Sequence, residues 1–354
     1  MTKDTENIRI KDIAQMAGVS AGTVDRVLHN RGRVSEENLK KVNAVLKMVN
    51  YQPNLIARSL ASKKQYKIVA IIPSFKKGEY WESISKGIDK AGNEFEDYGV
   101  HIQKLYFDQY DNNSLNKTVD ELFQISFDAV LIASLFANSV ISISEKLDEL
   151  NIPYNYIDSN ISGQNQLAYF GTNSFDSGVI GAKILLNSIG KDANILVSRM
   201  IHSGDQNSNQ SINREAGFNS YLNTVGYTGK VHYVDLKIGS SVFNFSVLDA
   251  FFESQNNIKG IIVFNSTCHK LANYIKVRDI HNLIVVGYDA IEENANVLRE
   301  GYITALIAQR PQLQGYNGIK SLCEYLILKK RPQKENFMPI DILMKENVDY
   351  YNEQ

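Results

Sequence analysis

The chain has 354 residues, 44% hydrophobic and 22% charged, with a formal net charge of -1. That length allows two or three domains and a large buried core. No apolar run approaches a membrane span and no signal-peptide core precedes Lys11, so a cytoplasmic protein with no membrane partner is expected. Two cysteines, Cys268 and Cys323, offer neither a zinc set nor a disulfide framework and read as reduced, semi-buried thiols.

The near-neutral balance hides an asymmetry. Residues 1–67 hold 13 Lys and Arg against 6 Asp and Glu, whereas the remainder holds 25 against 33. A basic head on an acidic body fits a polyanion-binding module joined to something that does not bind polyanions.

In chain order, IRIKDIAQMA spaces Ile13, Ala14, Ala17 and Val19 on one apolar face, with Lys11, Asp12 and Gln15 opposite. Gly18 breaks this helix, and Ser20 is placed to cap a second one that begins Ala21-Gly22-Thr23-Val24. Helix, glycine turn and capped helix make a helix-turn-helix plan, in which the second helix enters the major groove of double-stranded DNA. Such a hairpin also serves as a packing unit in small α-domains. On this plan Arg26 meets phosphate or a base, with His29 beyond it, while Ser20 and Thr23 meet phosphate. Ser35-Glu36-Glu37 opens a third helix, with Leu39, Val42, Leu46 and Val49 as its predicted buried face.

The strings IKDIAQMAGVS, TVDRVL and NYQPNLIARSL together resemble the lactose-repressor (LacI/GalR) family of transcription regulators. The resemblance implies that Asn54–Leu60 is a hinge helix placing Leu60 in the minor groove, with Asn54 and Ala57 beside it. It also sets Ala21 and Gly22 where the family often carries larger base-reading side chains.

After the polar stretch ending at Lys67, short β-branched runs alternate with amphipathic ones. Strands are predicted at Ile68–Pro73, Ile102–Phe107, Ala129–Ala133, Pro153–Ile157, Ile195–Ser198, Gly260–Phe264, Leu283–Gly287 and Ile303–Ala308. Helices are predicted at Trp81–Tyr98, Leu115–Phe123, Ser139–Leu150, Ser177–Ile189, Arg214–Asn223 and Pro311–Leu328. The alternation means parallel sheets covered on both faces, and so many strands exceed one ordinary sheet. The fold class is therefore a small all-α helix-turn-helix head plus an α/β body of two doubly wound parallel-sheet subdomains around a cleft. The domains are read as 1–53 for the head, 54–67 for hinge and linker, and 68–354 for a ligand-binding and dimerisation body.

Ligands of doubly wound sheets bind beyond the carboxyl ends of the strands. That rule alone selects Ser74, Asp108, Asp158, Asn265, Asp289 and Gln309. Short polar groups of this kind suit a polyhydroxylated ligand, helped by an arginine and an aromatic face. The body resembles the periplasmic binding proteins of the ribose type. The resemblance implies a sugar held by Tyr80 and Trp81 as stacking aromatics, and by Asp158, Arg214, Asn265, Asp289 and Gln309 as polar ligands. Gly78 and Ser159 depart from the asparagine and arginine of that pattern, which leaves the sugar unnamed. Plainer roles exist for each residue: Trp81 in a core, Asp289 as a helix cap, Arg214 paired with Glu215.

An enzyme is not expected. The chain has no Gly-x-Gly-x-x-Gly, P-loop, Gly-x-Ser-x-Gly or His-Glu-x-x-His string, and neither cofactor nor metal is implied. The Cys268-His269 pair and the Asp108/Asp111 pair are the residues an enzyme reading would use. The sequence is read as a ligand-responsive transcription regulator, a repressor acting as a homodimer, with a sugar or sugar derivative as effector. The alternative, a solute-binding protein for a transporter or receptor, shares the body but would carry an export signal and no basic head.

Overall fold

The computed structural model describes residues 8–29, 32, 34–49, 64–201, 209–237, 239–255 and 257–351. The chain divides into two compact units, Met1–Lys64 with Cys323–Lys330, and Gln65–Leu322 with Arg331–Gln354.

The head consists of α1 (Ile10–Ala17), α2 (Ala21–His29) and α3 (Glu36–Met48). Gly18 takes φ 64°, a left-handed conformation that costs glycine little, and this turns the chain out of α1. The Ser20 Oγ accepts the Thr23 N–H at 3.1 Å, satisfying a free donor at the start of α2. Ser35 does the same for Asn38 at the start of α3. Ile13, Ala14, Ala17, Val24, Val42 and Val45 form the buried centre. Of the predicted face of α3, Val42 is buried and Leu46 and Val49 pack partly buried against the same core; Val45 joins it, and Leu39, on the first turn, is exposed.

The body has two six-stranded sheets. The first has the order β2-β1-β3-β4-β5-β11, all parallel, with β1 Tyr66–Pro73, β2 Val100–Phe107, β3 Ala129–Ala133, β4 Tyr154–Ile157, β5 Ala168–Gly171 and β11 Glu335–Phe337. The second has the order β7-β6-β8-β9-β10-β12, with β6 Asn194–Ile201, β7 Val231–Lys237, β8 Ile258–Ile262, β9 Ile284–Tyr288, β10 Ala305–Ala308 and the antiparallel edge strand β12 Asp341–Leu343. The central strands read as continuous apolar runs because both faces are covered: Ile68 through Ile72 are all buried.

The covering helices are α4 (Tyr80–Phe95), α5 (Asn112–Leu122), α6 (Ala137–Glu149), α7 (Ser174–Ile189), α8 (Asn209–Thr224), α9 (Ser241–Ser254), α10 (Cys268–Val277), α11 (Glu292–Arg299) and α12 (Pro311–Leu328). The chain passes between the sheets three times: from β5 into α7, from β10 into α12, and from β11 into β12. Each lobe is therefore discontinuous in sequence.

All eight predicted strands are present. Strands β5, β7, β11 and β12 and helices α9, α10 and α11 add to the predicted set.

Candidate functional site

Seven polar or aromatic side chains from both lobes converge where the carboxyl ends of the strands face each other. The first lobe supplies Tyr80 from the start of α4, Asp158 directly after β4, and Thr172 after β5. The second supplies Gln210 and Arg214 from α8, Asp289 directly after β9, and Gln309 directly after β10. All seven are buried.

Asp158 and Asp289 both adopt left-handed backbone, φ 74° and 66°, at the end of a parallel strand. Such a conformation costs a non-glycine residue on the order of 1 kcal/mol and persists only where surrounding contacts impose it. Those contacts are present. The Asp158 carbonyl accepts from the Tyr169 hydroxyl at 3.1 Å, and the Ser134 hydroxyl donates to the Ile157 and Ser159 carbonyls on either side. The Asp289 carbonyl accepts from the Asn294 amide at 2.9 Å, and the same amide also reaches the Tyr288 and Ser266 carbonyls. Asp289 is therefore no helix cap, since α11 begins after Ile291.

The carboxylates are joined by amides. Asp158 Oδ1 accepts from the Tyr80 hydroxyl at 3.3 Å and from Gln210 Nε2 at 3.0 Å. Gln210 Nε2 also donates to Gln309 Oε1 at 3.0 Å, which accepts from the Thr172 hydroxyl as well. Gln309 Nε2 closes the series on Asp289 Oδ1 at 2.6 Å. A continuous polar chain thus runs from Asp158 in one lobe to Asp289 in the other.

Arg214 lies within this region at 1% exposure, with Nη1 donating to the Phe264 carbonyl at 2.6 Å and the guanidinium 4.1 Å over the Tyr288 ring. Its Nε has no partner among the described residues. Glu215, its neighbour, turns to Arg199 instead. Helix packing sets this position: a Cβ on Gly178 would lie 1.9 Å from the Arg214 carbonyl, and one on Gly217 the same distance from the Phe175 carbonyl. Only glycine lets α7 and α8 touch backbone to backbone there.

Burial dominates the electrostatics. Desolvation pushes the Asp158 carboxyl up to about 7, with nearby Asp289 adding to the rise and Arg214, Tyr80 and Gln210 opposing it. Asp289 is raised by the same burial, against Arg214 and the Gln309 hydrogen bond. The Tyr80 hydroxyl is raised too, first by burial and then by the two carboxylates.

Other residues selected from the sequence lie elsewhere. Trp81 is 4% exposed and donates from Nε1 to Gln109 Oε1 at 3.2 Å, and it meets the network edge-on at Tyr80. Asn265 holds the turn before α10 by accepting from Thr267, one residue beyond the carbonyl that Arg214 binds. Ser74 and Asp108 are exposed, and Asp108 serves its own loop, accepting from the Tyr110 N–H. Gln210, Thr172 and Asn294 were not selected. Gln210 had a readable signal, since it precedes Arg214 by four residues and shares its helix face. Cys268 is fully buried with its thiol raised by desolvation, and His269 bonds Asn294, so the pair does not form a thiolate–imidazole dyad. Among the described residues no group of three or more His, Cys, Asp or Glu is placed to hold a metal ion. Among them, too, no helix is long and apolar enough to cross a membrane.

In the head, Ala21, Gly22 and Arg26 lie on the exposed side of α2, while Val24 points into the core. The Ser20 and Thr23 hydroxyls are 2.9 Å apart at the exposed start of the helix. The side chain of His29, and Asn54, Ala57 and Leu60, lie outside the described residues.

Comparison with known proteins adds a second line of observation. Residues 9–54 match the lacI family of bacterial regulatory proteins, and residues 69–330 match the periplasmic binding protein domain. A crystal structure of a candidate LacI transcriptional regulator from Bacteroides fragilis superposes with a TM-score of 0.78 at 36% identity, covering 82% of this chain and all of that one. The HTH-type transcriptional regulator MalR of Streptococcus pneumoniae is 37% identical over 99 residues, 27% of this chain and 30% of that protein. The chain thus matches less than a third of MalR's length. A solute-binding protein of an ABC transporter from Burkholderia graminis, solved with D-arabinose, shares the fold at a TM-score of 0.70 and 19% identity, covering 81% of this chain and 98% of that one.

Proposed function

Because this chain belongs to the lacI family of bacterial regulatory proteins and has a periplasmic binding protein domain as its body, we propose that it is a ligand-responsive repressor of transcription. Its head binds double-stranded operator DNA, and a sugar or sugar derivative held between the lobes of the body controls that binding. It acts in the cytoplasm as a homodimer. Exposed apolar side chains on the edge strands, Tyr106 on β2 and Tyr233 on β7, support pairing with a second copy.

The observation that carries the reading is the buried network from Asp158 to Asp289. Two carboxylates, two amides, a guanidinium and a phenol are gathered out of water at the carboxyl ends of the strands. Each polar group buried this way is costly unless it is hydrogen-bonded. Hydroxyls of a polyol offer both donors and acceptors to such a set. The mechanism is linkage: if effector and operator prefer different lobe arrangements, each weakens the other by the same factor. Asn54–Leu60 is the segment read as transmitting that choice, folding on DNA and seating Leu60 in the minor groove.

Arg26 stands exposed on α2 and is the base- or phosphate-reading side chain of this proposal. Arg26→Ala should weaken specific operator binding by about 1–3 kcal/mol if the contact is bidentate to guanine. A mobility-shift titration reads this directly, and unchanged affinity removes Arg26 from the interface. For the body, a polyol effector should raise the melting temperature of wild type and not that of Arg214→Ala.

A further inference from the structure

On the reading of this cleft as a polyol site, its buried charges narrow the class of ligand. The buried network contains two carboxylic acids, Asp158 and Asp289, and one guanidinium, Arg214. Arg214 is directed at the Phe264 carbonyl and the Tyr288 ring, so it serves neither carboxylate by direct hydrogen bond among the described residues. With both acids ionised the network carries one negative charge in excess.

A cavity of about 140 Å³ opens beside this network, lined by Gly78, Glu79, Tyr80, Asp289, Gln309 and Tyr351 among others. The other charges on its wall are largely matched. Glu82 pairs with Lys86 at 3.1 Å, and Glu292 with Arg299 at 3.3 Å. Glu79 accepts from the Lys76 backbone N–H at 2.8 Å and feels the ammonium of Lys270. Asp289 is different. It is 6% exposed, lines the cavity, and receives one hydrogen bond to its carboxylate among the described residues, from Gln309 onto Oδ1. Its Oδ2 is left for whatever enters. Ser159, the residue next to Asp158, has a buried hydroxyl without a partner among the described residues.

We propose that the effector is an amine-bearing polyhydroxylated ring, an amino sugar or an aminocyclitol, whose protonated amino group seats on Asp289 in this cavity. Its hydroxyls meet Gln309 and Tyr80, which line the same cavity and tie it to Asp158 and Gln210 through the buried network. An ammonium supplies the missing positive charge and a strong donor to Oδ2, whereas a neutral hydroxyl requires the site to retain a proton. An anionic ligand, a uronic acid or sugar phosphate, would add a second uncompensated negative charge.

The test is calorimetric titration of the full chain with matched sets built on glucose, galactose, mannose and inositol. Each set holds the parent polyol, its amine, its N-acetyl derivative and its phosphate. The expected result is an amine that binds at least about tenfold tighter than its parent, the scale of one charged hydrogen bond. The N-acetyl and phosphate members should bind more weakly still. Asp289→Asn should erase the preference of amine over parent. Amino sugars binding tighter than aminocyclitols, or the reverse, identifies the source. A parent or phosphate that binds as tightly as the amine overturns the charge assignment while leaving the polyol site standing. Absence of binding throughout all four sets overturns the polyol reading itself, and this inference with it.

Discussion

The two buried carboxylates make an instructive pair. Asp158 and Asp289 each follow a parallel strand, each in left-handed backbone, each with its main chain clamped by buried donors. Their partners differ. The Asp289 carboxylate is bonded by Gln309, a residue of its own lobe. The Asp158 carboxylate is bonded by Tyr80 of its own lobe and by Gln210 from the other. Gln210 is not isolated in this. Its neighbour Asn209 donates from its side chain to the Asn160 carbonyl at 3.3 Å, so the first turn of α8 docks on the loop after β4. The Asp158 carboxylate is thus hydrogen-bonded from both lobes, whereas the Asp289 carboxylate takes its one hydrogen bond among the described residues from its own lobe. On the proposed function, the same chemistry at two strand ends would serve two purposes, latch and ligand post.

The largest expected effect separates these roles. Asp158→Ala and Asp289→Ala should each weaken effector binding by tenfold to about a hundredfold, since either leaves buried donors unpaired. Their effects on shape should diverge. Asp158→Ala removes the carboxylate that Gln210 of α8 reaches across the cleft and leaves only the longer bond to the Asp158 carbonyl, so small-angle scattering without effector should give a larger radius of gyration than wild type. Asp289→Ala should leave it unchanged. Equal expansion in both variants would dissolve the distinction between latch and post.

A second effect is read in pH. Asp158 is held near 7 in the folded protein against about 3.9 in an unfolded chain. The folded state therefore binds more protons between these values. The stability contributed is fully present below about 4 and is lost as pH rises through about 7. Asp289, raised in the same direction, adds to the slope. The melting temperature of wild type should fall between pH 4.5 and 7.5, by an amount on the order of a few kcal/mol of stability. Asp158→Asn, which keeps the shape and cannot ionise, should flatten part of that slope. An undiminished slope would place the titrating group elsewhere.

How much of this was legible in the sequence follows from the way each part is encoded. The head is written in one contiguous stretch, where Gly18, Ser20 and the apolar face of α1 lie within eleven residues of one another. The central strands are legible for a similar local reason, since burial on both faces makes IVAIIP and AVLIA unbroken apolar runs. Strand β7, VHYVDLK, lies at a sheet edge and alternates between covered and exposed positions, which weakens the signal, and β11 and β12 are three residues each. In the cleft, the strand-end rule reached Asp158, Asp289 and Gln309 because topology alone exposes those positions. It was blind to what a helix brings from the side, namely Gln210, and to Asn294, whose amide nitrogen holds three backbone carbonyls. The rule also over-reached at Asp108, because β2 is an edge strand whose end faces its own loop.

The smallest effect is the sharpest test of the comparison, because it removes the latch without touching either carboxylate. Gln210→Ala deletes an amide that donates to Asp158 Oδ1 and to Gln309 Oε1. Gln309 keeps its bonds to Asp289 and Thr172, so the setting of Asp289 survives. A neutral hydrogen bond contributes about 0.5–1.5 kcal/mol net, so effector affinity should fall only several-fold. The optical consequence should be clearer than the energetic one. Trp81 is the single tryptophan of the chain, and it packs edge-on against Tyr80 at 5.1 Å, the residue whose hydroxyl meets Asp158. Release of α8 from Asp158 lets water reach Tyr80, so Trp81 emission in Gln210→Ala should shift to longer wavelength without effector and return when effector closes the lobes. Thr172→Ala, which deletes the hydroxyl bond to Gln309, reports on the far end of the same chain and should leave the Trp81 spectrum where it is. A spectrum in Gln210→Ala identical to wild type at every effector concentration would mean that α8 is held by other contacts. The asymmetry between Asp158 and Asp289 would then be one of geometry without mechanical consequence.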